Sequence, residues 1–80
     1  MFIVYIIKST LNPNKHYAGF TKNLEKRLAA HNAGKSLFSQ KYAPWSLECF
    51  ITFQNEHKAK DFERYLKRGS GYAFFKKHLV

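Results

Sequence analysis

An Asn-Pro-Asn triplet at positions 12–14 separates two short apolar runs, and this turn limits the fold more than any other feature of the chain. Proline fixes φ, and asparagine tolerates left-handed geometry, so Leu11-Asn12-Pro13-Asn14-Lys15 is a natural place for the chain to reverse. Before it, Phe2 to Lys8 is β-branched and aromatic; after it, His16 to Phe20 continues in extended character. Together they predict an antiparallel hairpin at the N-terminus. Gly19, near the end of the second run, would let another backbone or a phosphate come close.

Beyond the hairpin, Thr21 or Asn23 can cap a helix from Leu24 to about Asn32, with Gly34 as its stop. Lys35 to Ser46 reads as a long loop around Pro44, basic at Lys35 and Lys41 and anchored to the core by Trp45. Leu47 to Phe53 reads as a third strand. A second helix is expected from Glu56 to Arg68, stopped by Gly69-Ser70-Gly71, and Tyr72 to His78 as a short closing helix. The order β-β-α-β-α-α predicts an α/β fold in which a small three-stranded, mainly antiparallel sheet is flanked by helices. No repeat, low-complexity tract or linker interrupts it, so residues 1–80 are expected to form a single domain. A chain of this size buries only about 60% of its unfolded surface, which leaves a thin core and no room for a large cofactor fold.

Composition narrows the function. An apolar fraction of 45%, with 8 Phe and 5 Tyr, excludes a disordered tail. Lys and Arg total 14 against 5 acidic residues, a formal charge of +9, which points to a polyanionic partner, nucleic acid before membrane surface. The longest apolar run, Met1 to Ile7, falls far short of the ~20 residues that span a bilayer. It has neither a positive flank nor a small-residue cleavage site, so no signal peptide and no membrane partner are expected. Cys49 stands alone, which excludes an internal disulfide or a thiolate zinc cage and fits a reducing, cytoplasmic setting. Within Leu47, Cys49 and Ile51 it reads as a buried, unreactive thiol.

The two longer helices carry polar residues where a core stripe should be. At 100° per residue, Leu24, Arg27, Leu28 and His31 share one face of the first helix, which carries Arg27 and His31 inward. Ala59, Phe62, Glu63 and Leu66 share a face of the second, while Lys58, Lys60, Asp61, Arg64 and Lys67 lie outside or flank it. Buried charge is costly, so this pattern needs a reason. One is an Arg27–Glu63 ion pair bridging the helices. The other is a shallow site in which Arg27 and His31 meet phosphate oxygens and Glu63 holds a hard divalent cation, which prefers oxygen ligands and often takes one or two from protein. Tyr5 and Tyr17 fall mid-strand, so the hairpin can present both hydroxyls on one sheet face. Each is either a core aromatic or a phenol near a metal, able to accept a proton where neighbouring cations lower its pKa.

Taken in order, Ile3-Val4-Tyr5, Tyr17-Ala18-Gly19, Arg27, His31, Ala43-Pro44-Trp45-Ser46-Leu47-Glu48 and Glu63-x-x-x-Lys67 resemble the GIY-YIG nuclease domain, and more closely the small stand-alone bacterial proteins built from that domain. The resemblance covers essentially the whole chain. It departs at Ile3-Val4 for Gly-Ile, at Ala18 for Ile, at Phe20 where many members carry a basic residue (Lys22 is the nearest substitute), and in lacking a late Asn among Phe74, Phe75, Lys76 and Lys77.

The resemblance implies an endonuclease that hydrolyses DNA phosphodiesters with Mg²⁺ or Mn²⁺, in repair or recombination or on structured or single-stranded DNA. Carried over by position, Glu63 is the metal ligand and Arg27 the phosphate clamp. Tyr17 is the base or water-orienting phenol, Tyr5 its hydrogen-bonding neighbour, and His31 an aid to proton transfer or to the leaving group. Lys22, Lys26, Lys35, Lys41, Arg64 and Lys67 are the cations expected on the DNA backbone. Two other functions fit the same charge: a nucleic-acid-binding module that keeps the fold without turnover, and an interaction subunit docking an acidic protein.

Overall fold

The structure, a computed structural model, describes residues 1–34 and 37–80. Strands β1 (Phe2–Ser9) and β2 (His16–Thr21) form the hairpin, followed by helices α1 (Leu24–Asn32) and α2 (Leu37–Tyr42) and strand β3 (Trp45–Phe53). Helices α3 (Glu56–Leu66) and α4 (Gly69–Phe74) follow, and a π-helical turn at Phe75–Leu79 closes the chain. The sheet has three strands in the order β2-β1-β3, and both pairings are antiparallel. The expected class and topology are those observed.

The central strand explains why its sequence is apolar throughout rather than alternating. Val4, Tyr5, Ile6 and Ile7 are all at most 2% exposed, because both faces of β1 are covered. Val4, Ile6 and Ala18 join Ala59, Leu66 and Phe75 in one core, with Phe53 and Phe62 packed against it. Tyr5, Ile7 and Trp45 form a second core, with Tyr17, Leu24, Leu28 and Tyr42 against it. Each fully buried aliphatic side chain contributes roughly 1.5–3 kcal/mol, so β1 is the stable base on which both sides rest. Asn23 and Asn55 cap α1 and α3, accepting from the backbone N–H of Lys26 at 3.1 Å and of Lys58 at 3.0 Å.

Three expectations need correction. The segment read as a loop contains α2. Six residues are too few to show helical periodicity, and tertiary bonds hold its open carbonyls: Trp45 Nε1–H donates to the Ser39 carbonyl at 3.1 Å, and Ser9 Oγ to that of Tyr42 at 2.6 Å. The last helix begins at Gly69 rather than Tyr72. Gly69 takes φ +42°, and a Cβ at Gly71 would overlap the Tyr65 carbonyl, so the glycines let α4 pack tightly on the end of α3 instead of merely stopping it. Third, Arg27 is exposed. Helix α1 lies shallow on the sheet and contributes no fully buried residue, so Arg27 stays open to solvent even though its guanidinium reaches in to bond the Tyr5 hydroxyl.

Cys49, expected to be buried, is only half-buried because β3 is an edge strand with much of its length open to solvent; its Sγ lies 4.0 Å from the Leu79 carbonyl. Burial and the nearby Glu48 push its thiol up, which keeps it protonated and unreactive.

Candidate active site

Residues from β1, β2, α1 and α3 converge at the β2 side of the sheet. In the hairpin register Tyr5 faces Gly19 and Ile7 faces Tyr17, so the two tyrosines are diagonal neighbours on one face, with ring centroids 6.4 Å apart. Gly19 has a definite task there. A Cβ at this position would overlap the Oη and Cζ of Tyr5, so only glycine lets the Tyr5 ring lie flat across β2.

The Tyr5 hydroxyl thereby reaches Nε2 of His31 at 2.8 Å. His31 packs against both tyrosines, with centroids 5.8 Å from Tyr5 and 5.2 Å from Tyr17, and edge-on to Trp45 at 6.4 Å. Burial pushes the Tyr5 phenol up to about 12, helped by the neighbouring Tyr17 and opposed by Arg27, so it stays protonated. Burial, and then the Arg27 charge, lower the His31 pKa, so the imidazole is neutral near pH 7. A protonated phenol and a neutral imidazole are each able to donate or accept, so the bond ties the two rings together in either imidazole tautomer.

Helix α1 is fixed to the sheet by a residue the sequence pattern did not single out. Asn32, the last residue of α1, donates through Nδ2 to the Trp45 carbonyl at 3.2 Å and accepts the Trp45 backbone N–H on Oδ1. This two-way clamp sets the depth of the turn that carries His31. No spacing rule announces it, because the partner is main chain thirteen positions later.

Glu63 lies on the inward face of α3 beside buried Ala59 and Leu66, with its side chain only 18% exposed. The bridging pair with Arg27 is not formed; Glu63 instead pairs with Lys67, one turn along the same helix. A glutamate four residues before a lysine is the favourable orientation for such a pair, and it needs no second helix to be brought into register. Lys67 Nζ also sits 5.1 Å from the centre of the Tyr17 ring, so one ammonium links Glu63 to the phenol. The negative charge of Glu63 is close enough to raise the Tyr5 pKa further.

Tyr5, Tyr17, Arg27, His31, Glu63 and Lys67 are thus brought together. Lys26 stands beside Arg27 on a shallow cleft of about 270 Å³ that also touches Thr21 and Asn23. Lys22 is turned elsewhere, 3.9 Å from Glu56 and over the Phe2 ring. Arg64 pairs with Asp61 at 3.4 Å, Lys41 lies over the Tyr42 ring, and Lys35 falls outside the described residues.

Among the described residues no three His, Cys, Asp or Glu side chains approach closely enough to enclose a metal ion, and the carboxylate that acts on the tyrosine cluster is Glu63. That donor set suits a hard divalent cation that keeps most of its waters and completes its shell with substrate phosphate, not a closed protein cage. No helix of the described residues is long and apolar enough to cross a membrane.

Residues 1–76 match the family described as the GIY-YIG catalytic domain. The chain is also similar to a UPF0213 protein of Clostridium perfringens, 38% identical over 69 residues, spanning 85% of this chain and 72% of the relative. A UPF0213 protein of Streptococcus pyogenes serotype M3 is 35% identical over 69 residues, spanning 85% and 70%. The UPF0213 protein YsiG of Lactococcus lactis is 38% identical over a shorter stretch of 52 residues, spanning 64% and 50%.

Proposed function

The chain belongs to the GIY-YIG catalytic-domain family, a nuclease superfamily whose members generally use divalent metal ions, and from that premise we propose that it is a single-domain, Mg²⁺- or Mn²⁺-dependent endonuclease of DNA phosphodiesters. The observation that carries this reading is the half-buried carboxylate of Glu63 set beside the Tyr5–Tyr17–His31 cluster by way of Lys67. A lone acid among aromatic hydroxyls and cations has little use in a core, and much use where a phosphate must be gripped while water attacks it.

Arg27 clamps the scissile phosphate, its planar fork matching two phosphate oxygens. Tyr17 orients the attacking water in line with the leaving oxygen and, when it is ionised to the phenolate, takes the water's proton and returns to the phenol. Tyr5 remains protonated and acts as a positioning residue, holding the His31 ring by its hydroxyl. His31, held neutral, offers a ring N–H as a hydrogen bond to the departing oxygen, which takes its proton from solvent. Glu63 would hold the divalent ion, which would supply positive charge against the negative charge that develops in the reaction. For Glu63 to do this, Lys67 must release it and turn to the incoming backbone. Lys26 and Lys67 complete the grip near the site, Lys41 and Lys35 extend it along the backbone, and Lys22 and Arg64 join it if they leave their acidic partners. A reducing, cytoplasmic setting suits the free thiol.

The ion pair of Glu63 with Lys67 also favours a second reading, a nucleic-acid-binding module whose acid is permanently neutralised. Chelation separates the two. Cleavage and binding of supercoiled plasmid and of labelled single-stranded DNA would be compared in Mg²⁺, Mn²⁺ and EDTA, with Glu63→Ala in parallel. The nuclease loses cutting in EDTA and in Glu63→Ala while keeping salt-sensitive binding. Binding alone in every condition establishes the module. Binding to neither substrate contradicts both.

A further inference from the structure

Away from the catalytic cluster, β2 and the C-terminal helices enclose a cleft of about 260 Å³ lined by Asn14, Lys15, His16, Tyr72, Phe75 and Lys76. A second cleft of about 190 Å³ shares His16, Tyr72 and Phe75 with it and runs on to Tyr17 and Lys67. The two therefore lead from the catalytic phenol to the tip of the hairpin.

Their walls have three properties that the enzyme's fold does not explain. Tyr72 is 53% exposed although its ring is stacked on Phe75, with centroids 6.0 Å apart and planes 18° apart. A flat aromatic face is thus offered to solvent on a rigid backing, since Phe75 itself is buried and held edge-on by His16 at 6.2 Å. His16 lines both clefts with its ring beside the Asn14 backbone and its Nδ1 closed to solvent, so a ligand in the cleft meets the ring and not that atom. Burial and the nearby Lys76 ammonium keep this imidazole neutral. Finally, Lys15 and Lys76 stand at the outer end and Lys67 at the inner end, so cations flank the aromatic face on both sides.

We infer that this cleft is a subsite for one unstacked nucleobase of a single-stranded stretch, stacked on Tyr72 with its edge against the His16 ring, while its phosphates lie along Lys76 and Lys67 toward the scissile bond. The volume suits a single planar ring system, being below the ~300–1,000 Å³ of pockets for larger ligands. Stacking on aromatic faces is the sequence-tolerant way proteins hold single strands. A base inside a duplex cannot present its faces to Tyr72, so the subsite selects unpaired strand. The inference rests on the nuclease reading for the scissile phosphate, and on the cleft alone for the base.

The test compares the affinity of the full chain, in EDTA, for a short oligothymidylate and for an abasic strand of equal length and charge. Wild type is expected to prefer the base-bearing strand by roughly 5-fold or more. Tyr72→Ala should lower that preference by about the same factor, Tyr72→Phe should keep it, and His16→Ala should reduce it in part. The exposed position of Tyr72 makes loss of folding an unlikely confusion, and circular dichroism of each variant checks it. An undiminished preference in a folded Tyr72→Ala overturns the subsite while metal-dependent cutting by wild type leaves the nuclease reading standing. Failure of wild type to bind either strand overturns both.

Discussion

The Tyr5 hydroxyl lies 2.8 Å from Nε2 of His31, and this hydrogen bond ties the buried central strand to the last turn of α1 across 26 positions of sequence. The bond exists because Gly19 has no side chain, and it joins a phenol that stays protonated to an imidazole that stays neutral.

Tyr5→Phe removes the hydroxyl and leaves the ring in place. Losing a hydrogen-bonded positioning partner of this kind typically costs about 10–100-fold in activity, so cutting should fall by that order while DNA affinity changes little. Because Tyr5 titrates near 12 when folded and near 10.0 when free, the folded chain keeps a proton the unfolded chain has lost. The associated stability is fully present below the lower value and is lost as pH rises through the higher. Alkaline titration followed by phenolate absorbance should show one tyrosine ionising only as the protein unfolds, and none such in Tyr5→Phe.

Gly19→Ala forces a methyl group into the Tyr5 ring. Overpacking of this kind costs about 1–3 kcal/mol, and β1 is too well covered to move aside. Urea denaturation should show the loss in full in the wild-type background and a much smaller one in Tyr5→Ala, where the obstructing ring is gone.

Asn32→Ala breaks both bonds to the Trp45 main chain. The expected destabilisation is about 1–3 kcal/mol, because the Trp45 groups lose their partner as well. Hydrogen exchange should speed up at the Trp45 amide and along the last turn of α1 before it does in α3.

Acid should weaken the fold through His16 and His31. Both titrate below the ordinary imidazole value of 6.5 in the folded chain, so the unfolded chain takes up protons first as pH falls. Stability is therefore full above that value, declines below it, and levels off once the lowered folded values are passed. Urea midpoints measured between pH ~8 and ~5 check this, and the slope should shrink in His16→Phe.

Lys67→Met frees the Glu63 carboxylate from its ion pair. With the lysine 45% exposed, such a pair is worth at most about 1 kcal/mol, so affinity for Mn²⁺ should rise up to ~5-fold by titration calorimetry. Binding of DNA should weaken at the same time, because a cation beside the site is gone.

Much of this was legible in the chain. The Asn-Pro-Asn turn set the hairpin, the apolar run of Phe2–Lys8 became the central strand, and wheel positions picked out His31 and Glu63 before any contact was known. What stayed hidden shares a physical character. The six residues of α2 carry less than two turns of periodicity and depend on bonds from Ser9 and Trp45. Asn32 works through main-chain groups, which have no sequence signature. The partner of Glu63 was a contest between a bridge to another helix and a neighbour one turn away, and proximity on the same helix decided it.

The central claim is that Glu63 and Tyr17 belong to one metal-dependent cutting site, and single-turnover cleavage of single-stranded DNA in Mn²⁺ tests it most directly. Glu63→Ala and Tyr17→Phe should each slow the cut by about 100-fold or more, with DNA affinity within a few-fold of wild type. Cutting that proceeds at the wild-type rate in Glu63→Ala would contradict the claim and move the chemistry away from this cluster.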